Sequence, residues 1–166
     1  MAALYKNQIN FLGSQILHDT QVRWLGTYAR NQIPSLKNEK PPFAPVVNTD
    51  VAAGPDEQWL ARYAPRDSLK IEVFDSFGLP PNIYSFDPSF IHFSSRSSIQ
   101  SFCSKVCEHY ALLFIYFRSR NDSFDNTINN LNKHFTDAFA PRKIYDLSRF
   151  KLSHVHCTGQ CCKNKS

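Results

Sequence analysis

Residues 107–117 read CEHYALLFIYF, an almost uninterrupted apolar run that begins with a cysteine. Apolar side chains on most sides of a helix indicate burial, so we predict a central buried helix from about Lys105 to Arg120. Cys107 would then lie in the first turn, where free N–H groups and the helix dipole favour a thiolate. Gln100, seven residues earlier, is a candidate donor to an oxyanion. The alternative is that Cys107 is a small buried hydrophobe, which is the commoner role of a free cysteine on an apolar helix.

The length of 166 residues suits one domain with its own hydrophobic core. Hydrophobic residues make up 42% and aromatic residues 14% of the chain, which is typical of a globular protein. We therefore expect a single domain over residues 1–150. Residues 151–166 form a polar tail that contains cysteine and histidine, and its composition favours disorder.

The first residues lack the charged region and the apolar stretch of a secretory signal, and no apolar run approaches the roughly 20 residues that span a bilayer. The five cysteines are an odd number and none precedes residue 103, which is a poor basis for a disulfide framework. We expect an intracellular protein of a reducing compartment, with no membrane association. The net charge of +5 permits weak attraction to nucleic acid, but a basic soluble surface is the simpler interpretation.

Apolar spacing predicts a helix over residues 2–17, although Gly13 weakens the pattern. Residues 24–28 are predicted to be a short extended or turning segment, and the prolines that follow mark a loop. Short apolar runs bounded by turn residues predict three strands, at residues 46–48, 59–63 and 70–75. Asp75 ends the third strand, a place where side chains are commonly presented to a cleft.

Residues 82–95 are predicted to form a short helix and a loop. Residues 121–123 are cap candidates for a further helix, which carries an apolar stripe from Phe124 to Phe135. Three strands with flanking helices predict an α+β fold, in which a small mixed β-sheet packs on the central buried helix.

Four short segments and two single residues occur in an order and at a spacing that are typical of one protein family. They are WLGTY at 24–28, VVNTD at 46–50, EQW at 57–59, FDSFG at 74–78, then Gln100 and Cys107. Together they resemble the adenovirus-type protease (adenain) family, including its relatives from large virus-like DNA transposons, and more distantly the proteases that remove ubiquitin-like modifiers. The resemblance covers about residues 10–135. It implies a cysteine-proteinase-like fold and an endopeptidase that cleaves viral or transposon precursor proteins, in the cytoplasm, the nucleus or a virion.

In that family a histidine before a tryptophan is the general base, an acidic residue ending the next strand orients it, a glutamine shapes the oxyanion hole, and a cysteine at a helix start attacks. The resemblance therefore implies that Cys107 is the nucleophile. Asp75 takes the orienting position and Gln100 the oxyanion position. The base position holds Gln58 instead of histidine.

We also expect a substrate cleft that includes Trp59 and Asn48, although Trp59 is most simply a residue of the core or of the cleft wall. The partners that the resemblance implies are a polypeptide substrate or ligand and, as an activator, DNA or a peptide. We expect no metal and no other cofactor.

Two positions depart from the family pattern. The amide of Gln58 does not titrate near neutral pH, so it cannot take the thiol proton or return it to the leaving amine. Glu108 stands where the family usually has glycine, and its carboxylate disfavours a thiolate at Cys107 by repulsion. Two hypotheses stay open: an endopeptidase, or a pseudo-protease that binds a peptide, a protein or nucleic acid without cutting.

Other titratable residues are weaker candidates. On a helix His109 would face away from Cys107, and His92 lies in a predicted loop, so we expect neither to act as the base. Cys103 could pair with Cys107 on oxidation, but a buried thiol is the simpler expectation. The tail holds residues of zinc-ligand type, but their spacing does not match the usual paired arrangement, so we expect no metal site. These tail residues are His154, His156, Cys157, Cys161 and Cys162.

Overall fold

The computed structural model describes residues 3–52, 58–68, 70–84 and 91–148, and within 91–94 it describes the main chain. This part of the chain contains a mixed sheet of five strands in the order β1-β2-β3-β4-β5. The strands are β1 Arg23–Tyr28, β2 Phe43–Asn48, β3 Trp59–Tyr63, β4 Ile71–Phe74 and β5 Ile91–Ser94. The α-helices are α1 Lys6–Leu17, α2 Cys107–Ser119, α3 Phe124–His134 and α4 Phe139–Ser148. The expected α+β fold with a small mixed sheet and a central helix is confirmed.

The middle strand β3 is antiparallel to both of its neighbours, β2 and β4, whereas β1 pairs with β2 and β5 pairs with β4 in parallel at the two edges. In β3 the side chains of Trp59, Ala61 and Tyr63 join the main core cluster with α2, while Leu60 packs on the opposite face of the sheet. This alternation is the period of two that a strand imposes. It places the start of β3 against α2.

Helix α2 is the central buried helix that its sequence predicted. Every residue from Cys107 to Ile115 is buried. Phe114 stacks on Phe74 of β4 with ring centroids 4.8 Å apart, and it meets Phe124 of α3 edge to face. The helix therefore presents its first residue, Cys107, at one end of a packed interior.

Helix α1 begins at Lys6, a few residues later than predicted, because Tyr5 is its extended N-cap. The main-chain N–H of Tyr5 donates to Gln8 Oε1 at 2.8 Å, which is half of a capping box. Leu4 precedes the cap and is buried together with Ile9, so the two form the apolar staple that fixes how the chain enters the helix.

Gly13 lies within the continuous helix α1 for a packing reason. A Cβ at this position would lie 2.4 Å from Cζ2 of Trp24 on β1, so only glycine lets the indole lie against the helix. The glycine that weakens the predicted helical pattern is thus the residue at which α1 contacts the sheet.

We expect Gly13→Ala to destabilise the protein, although alanine is the better helix former. The gain in helix propensity is about 0.5–1 kcal/mol, whereas displacing a packed indole costs about 1–3 kcal/mol. Urea unfolding measures the difference. Ser14→Ala, at an exposed position of the same helix, is the matched control and should change stability by less than about 0.5 kcal/mol. A Gly13→Ala protein more stable than wild type would contradict the packing role.

The strands predicted at 46–48, 59–63 and 70–75 and the capped helix at Phe124 are confirmed, and the segment at 24–28 is the strand β1. Ser123 caps α3 by accepting the N–H of Asn126 at 3.1 Å. The loop predicted within 82–95 was wrong for residues 91–94, which form β5. Main-chain hydrogen bonds to the edge of β4 give these residues an extended conformation. Helix α4 was not predicted. The tail at 151–166 lies outside the described residues.

Candidate active site

Cys107 is the first residue of α2, which begins about two residues later than predicted, so the thiol lies in the first turn as expected. Its thiol lies against the start of β3, where the main-chain N–H of Trp59 points at Sγ with an N···S distance of 3.4 Å. The residue is 7% exposed. The candidate nucleophile is therefore held at the junction of the helix and the sheet, and it is nearly closed off from solvent.

Gln58 lies next to Trp59, immediately before β3, and is also buried. Its Nε2 donates to Oδ1 of Asp75 at 2.9 Å and to Oγ of Ser76 at 3.2 Å. The pairing of β3 with β4 is antiparallel, so the start of one strand meets the end of the other. The structure thus brings the base position and the orienting position together, with an amide where the resemblance implies an imidazole.

Asp75 is 1% exposed and accepts several hydrogen bonds. Besides Gln58, Oδ1 accepts the N–H of Phe77 at 2.8 Å, and Oδ2 accepts the N–H of Leu79 at 3.2 Å and the hydroxyl of Tyr84 at 2.7 Å. Burial, and then the bond to Asp75, raise the pKa of Tyr84, so this hydroxyl stays a donor. The carboxylate organises the whole turn after β4.

Glycine is required in that turn. Gly78 has φ +71°, and a Cβ there would lie 2.7 Å from the main-chain carbon of Ser97. The turn therefore approaches the segment that leads to Gln100.

Gln100 is buried within the same network. Its Oε1 accepts the hydroxyl of Ser76 at 2.6 Å, and its Nε2 donates to the main-chain oxygen of Ser104 at 2.9 Å. A continuous chain of hydrogen bonds therefore runs from Asp75 through Gln58, Ser76 and Gln100 to the segment before α2. One of the two amide hydrogens of Gln100 is occupied by Ser104, which leaves the other as the candidate oxyanion donor.

Ser76 is the network member that the sequence reasoning missed. It joins Gln58 to Gln100 by accepting from one amide and donating to the other. The sequence held one signal for this role. Ser76 directly follows Asp75, so its hydroxyl lies at the same turn as the carboxylate that ends the strand.

Glu108 is 1% exposed and lies beside the thiol. Its Oε2 accepts from Cys107 Sγ at 3.3 Å, and its Oε1 accepts the main-chain N–H of Leu4 at 2.6 Å. Burial raises the pKa of this carboxyl, and the N–H of Leu4 opposes the rise. Glu108, which stands where the family usually has glycine, thus accepts one hydrogen bond from the thiol and one from the chain before α1.

The expectation that the helix start lowers the pKa of Cys107 was wrong for this thiol. Burial raises its pKa, and repulsion from Glu108 raises it further, while the N–H of Trp59 opposes both. A helix terminus contributes only about 0.3–1 kcal/mol to such a balance. Cys107 is therefore a protonated thiol at neutral pH.

His109 does not reach Cys107. Its ring is buried and lies edge to face with Tyr145 of α4 at 6.1 Å, and Nδ1 lies 3.4 Å from Glu108 Oε1. Burial lowers the pKa of His109 to about 3, so the ring is neutral. The side chain of His92 lies outside the described residues.

Trp59 and Asn48, the expected cleft residues, are opposite each other on β3 and β2. Both are buried, and Asn48 Oδ1 accepts the N–H of Asp50 at 2.7 Å.

The expectation of a buried thiol at Cys103 was wrong: this cysteine is exposed in the turn before α2. A turn rather than a helix there explains the difference, since α2 begins only at Cys107.

Among the described residues no group of His, Cys, Asp and Glu side chains could hold a metal ion. The tail residues considered for zinc lie outside that part of the chain. Within the described ranges no helix is both long and apolar enough to cross a membrane.

No protein-family model matches the sequence, and a search of curated proteins found no match. Similar solved structures include two crystal structures of the pS273R protease of ASFV (African swine fever virus), one of them with selenomethionine. The selenomethionine structure superposes with a TM-score of 0.62 at 19% identity, over 92% of this chain and 69% of that one. The other gives a TM-score of 0.61 at 17% identity, over 92% and 68%. At these identities the likeness concerns the fold, and the chain has the fold of a cysteine protease.

Proposed function

We propose that this chain is a pseudo-protease of the adenain type, which uses the cleft of a cysteine protease to bind a polypeptide without cutting it. The observation that carries the proposal is the bond from Gln58 Nε2 to Asp75 Oδ1 at 2.9 Å. In that place an imidazole would accept the thiol proton, whereas an amide holds the same hydrogen bond and accepts no proton near neutral pH.

The surroundings of the thiol support the same conclusion. Cys107 donates to a buried carboxylate, which disfavours the thiolate that attack requires. Peptide cleavage also needs a group that returns a proton to the leaving amine. None of the histidines with described side chains, at positions 18, 109 and 134, hydrogen-bonds to Cys107.

A polypeptide is the favoured ligand because of the surface beside the network. Phe102 is 80% exposed and stacks on Phe77 at 5.3 Å, and each follows a network residue by two positions. Leu79 is exposed on the same turn, and Ile83 is exposed on the short 3₁₀ helix Pro81–Tyr84 that follows it. An apolar surface of this kind fits side chains of an extended peptide, whose main chain the fold can hold by strand-like contacts. The free thiols of Cys103 and Cys107 suit a reducing compartment, the cytoplasm or the nucleus.

The second candidate is an active endopeptidase for viral or transposon precursors. The position of Cys107 at the start of α2, with the N–H of Trp59 at 3.4 Å, favours it. DNA or a peptide would then act as the activator that the resemblance implies.

Alkylation of Cys107 as a function of pH separates the two candidates. We expect Cys107 to react with iodoacetamide more slowly than a free thiol at every pH up to about 9, because its pKa is raised by burial and by Glu108. Peptide mapping by mass spectrometry gives the rate at each cysteine, and the exposed Cys103 is the internal control. Fast alkylation of Cys107 below pH 7, or cleavage of a peptide library that Cys107→Ser abolishes, would overturn the pseudo-protease.

Selection from a displayed peptide library tests the binding role. We expect enriched peptides with bulky apolar side chains, whose affinity falls when Phe102→Ser removes the exposed ring. Enrichment no better than on a heat-denatured sample would remove the polypeptide as ligand, and a fluorescent single-stranded DNA tested in parallel would identify nucleic acid instead.

A further inference from the structure

We propose that residues 3–5, here called the N-terminal strap, close the candidate site on the side of α2. The strap does so through the hydrogen bond from the main-chain N–H of Leu4 to Glu108. The inference rests on the proposed function, because it concerns how the same cleft is opened and closed.

The strap and the thiol share one carboxylate. Glu108 Oε1 accepts the N–H of Leu4 at 2.6 Å, and Oε2 accepts from Cys107 Sγ at 3.3 Å. The first bond joins residues 104 positions apart in the sequence. A short, charge-assisted bond of this kind between distant segments fixes the strap to the first turn of α2.

The strap is extended and anchored on one side. Tyr5 has φ −80° and ψ 159°, and its ring is exposed. The side chain of Leu4 is 5% exposed and belongs to the core cluster that contains Cys107. The capping needs of α1 are met locally by Gln8, so the bond from Leu4 to Glu108 is additional to the helix cap.

Through Glu108 the strap affects the ionisation of the Cys107 thiol as well as the access to it. The groups that face this carboxylate are the N–H of Leu4, the thiol of Cys107, the neutral ring of His109 and, from α4, Tyr145. The N–H of Leu4 opposes the rise in the pKa of Glu108 most strongly, ahead of the main-chain N–H of Glu108 itself and the thiol of Cys107. When the N–H of Leu4 is lost while Glu108 stays buried, the carboxyl takes up a proton more readily, and Cys107 loses the repulsion that disfavours its thiolate.

Two variants of Leu4 in the full chain isolate the main-chain bond. Leu4→Pro removes the N–H, and Leu4→Ala keeps the N–H while shortening the side chain. We expect alkylation of Cys107 at pH 8 to be about 10-fold faster in Leu4→Pro than in Leu4→Ala, which corresponds to about one pKa unit. Circular dichroism shows whether both variants stay folded. Equal rates in two folded variants would overturn the strap.

Hydrogen exchange provides a test that does not depend on the folding of Leu4→Pro. The amide of Leu4 is followed by NMR in wild type, in Glu108→Gln, which keeps an acceptor, and in Glu108→Gly, which removes it. We expect protection close to wild type in Glu108→Gln and exchange about 10-fold faster or more in Glu108→Gly. Rapid exchange already in wild type would overturn the strap. Hydrogen exchange reads the bond itself, and the alkylation test compares two variants that differ in that bond, so either test can fail while the peptide selection succeeds, or the reverse.

Discussion

Replacing Gln58 with histidine and Glu108 with glycine together should raise the rate of Cys107 alkylation at pH 7 by about 100-fold or more, because each unit by which the thiol pKa falls gives about 10-fold more thiolate. The introduced imidazole would lie against Asp75, which already accepts from the side chain at this position at 2.9 Å. An oriented imidazole next to a thiol forms the ion pair that creates a thiolate. Removing Glu108 takes away the repulsion that now acts in the opposite direction.

The single variants should fall between wild type and the double variant. Gln58→His alone supplies a base but leaves the carboxylate 3.3 Å from Sγ. Glu108→Gly alone removes the charge but leaves an amide at the base position. We therefore expect a smaller gain for each, about 10-fold or less, and a gain in the double variant that exceeds the sum of the two effects in free energy.

The measurement is the pH profile of iodoacetamide alkylation at Cys107, with Cys103 as the unchanged reference in every variant. Gln58→Met, which is similar in length and does not titrate, is the matched control for the imidazole. If the double variant alkylates no faster than wild type while it stays folded, Gln58 does not occupy the base position and the resemblance fails at its central residue.

The fold was predictable where local signals are strong. The run from Cys107 to Phe117 is apolar on most sides, and burial of its first nine residues in α2 follows from that alone. The strand β5 was missed because a parallel edge strand depends on pairing with β4, which is a long-range property. Helix α4 was missed although Ala140, Ile144 and Tyr145 form its buried stripe. Pro141 lies in the first turn of that helix, where proline is tolerated.

The positions of the site residues and the repulsion between Glu108 and the Cys107 thiol were predictable, whereas the extent of burial around the thiol was not. Resemblance placed Gln58, Asp75 and Gln100 near one another, and the structure joins them through Ser76. The contact from Leu4 to Glu108 carries no local signal in the sequence. The helix terminus was expected to lower the pKa of Cys107, but burial, which the sequence does not quantify, and the predicted repulsion from Glu108 together outweigh it.

The second large effect concerns Asp75, whose role no longer depends on a histidine. Its two oxygens accept from Gln58 Nε2, from the N–H groups of Phe77 and Leu79, and from the hydroxyl of Tyr84. The donors come from the start of β3, from the turn after β4 and from the short helix that follows. One carboxylate therefore satisfies groups that burial would otherwise leave unpaired.

We expect Asp75→Ala to lower the free energy of unfolding by about 3–4 kcal/mol, because each buried donor left without an acceptor costs about 1–3 kcal/mol and the turn relaxes only in part. Asp75→Asn keeps one acceptor oxygen and should cost about 1–2 kcal/mol, and Tyr84→Phe, which removes a single donor, less than about 1 kcal/mol. Urea unfolding followed by tryptophan fluorescence gives all three values. A loss below about 1 kcal/mol for Asp75→Ala would mean that the turn is held by other contacts. The expected ranking instead explains how an orienting carboxylate can persist beside a glutamine, since the donors it satisfies stabilise the fold whether or not the neighbouring thiol reacts.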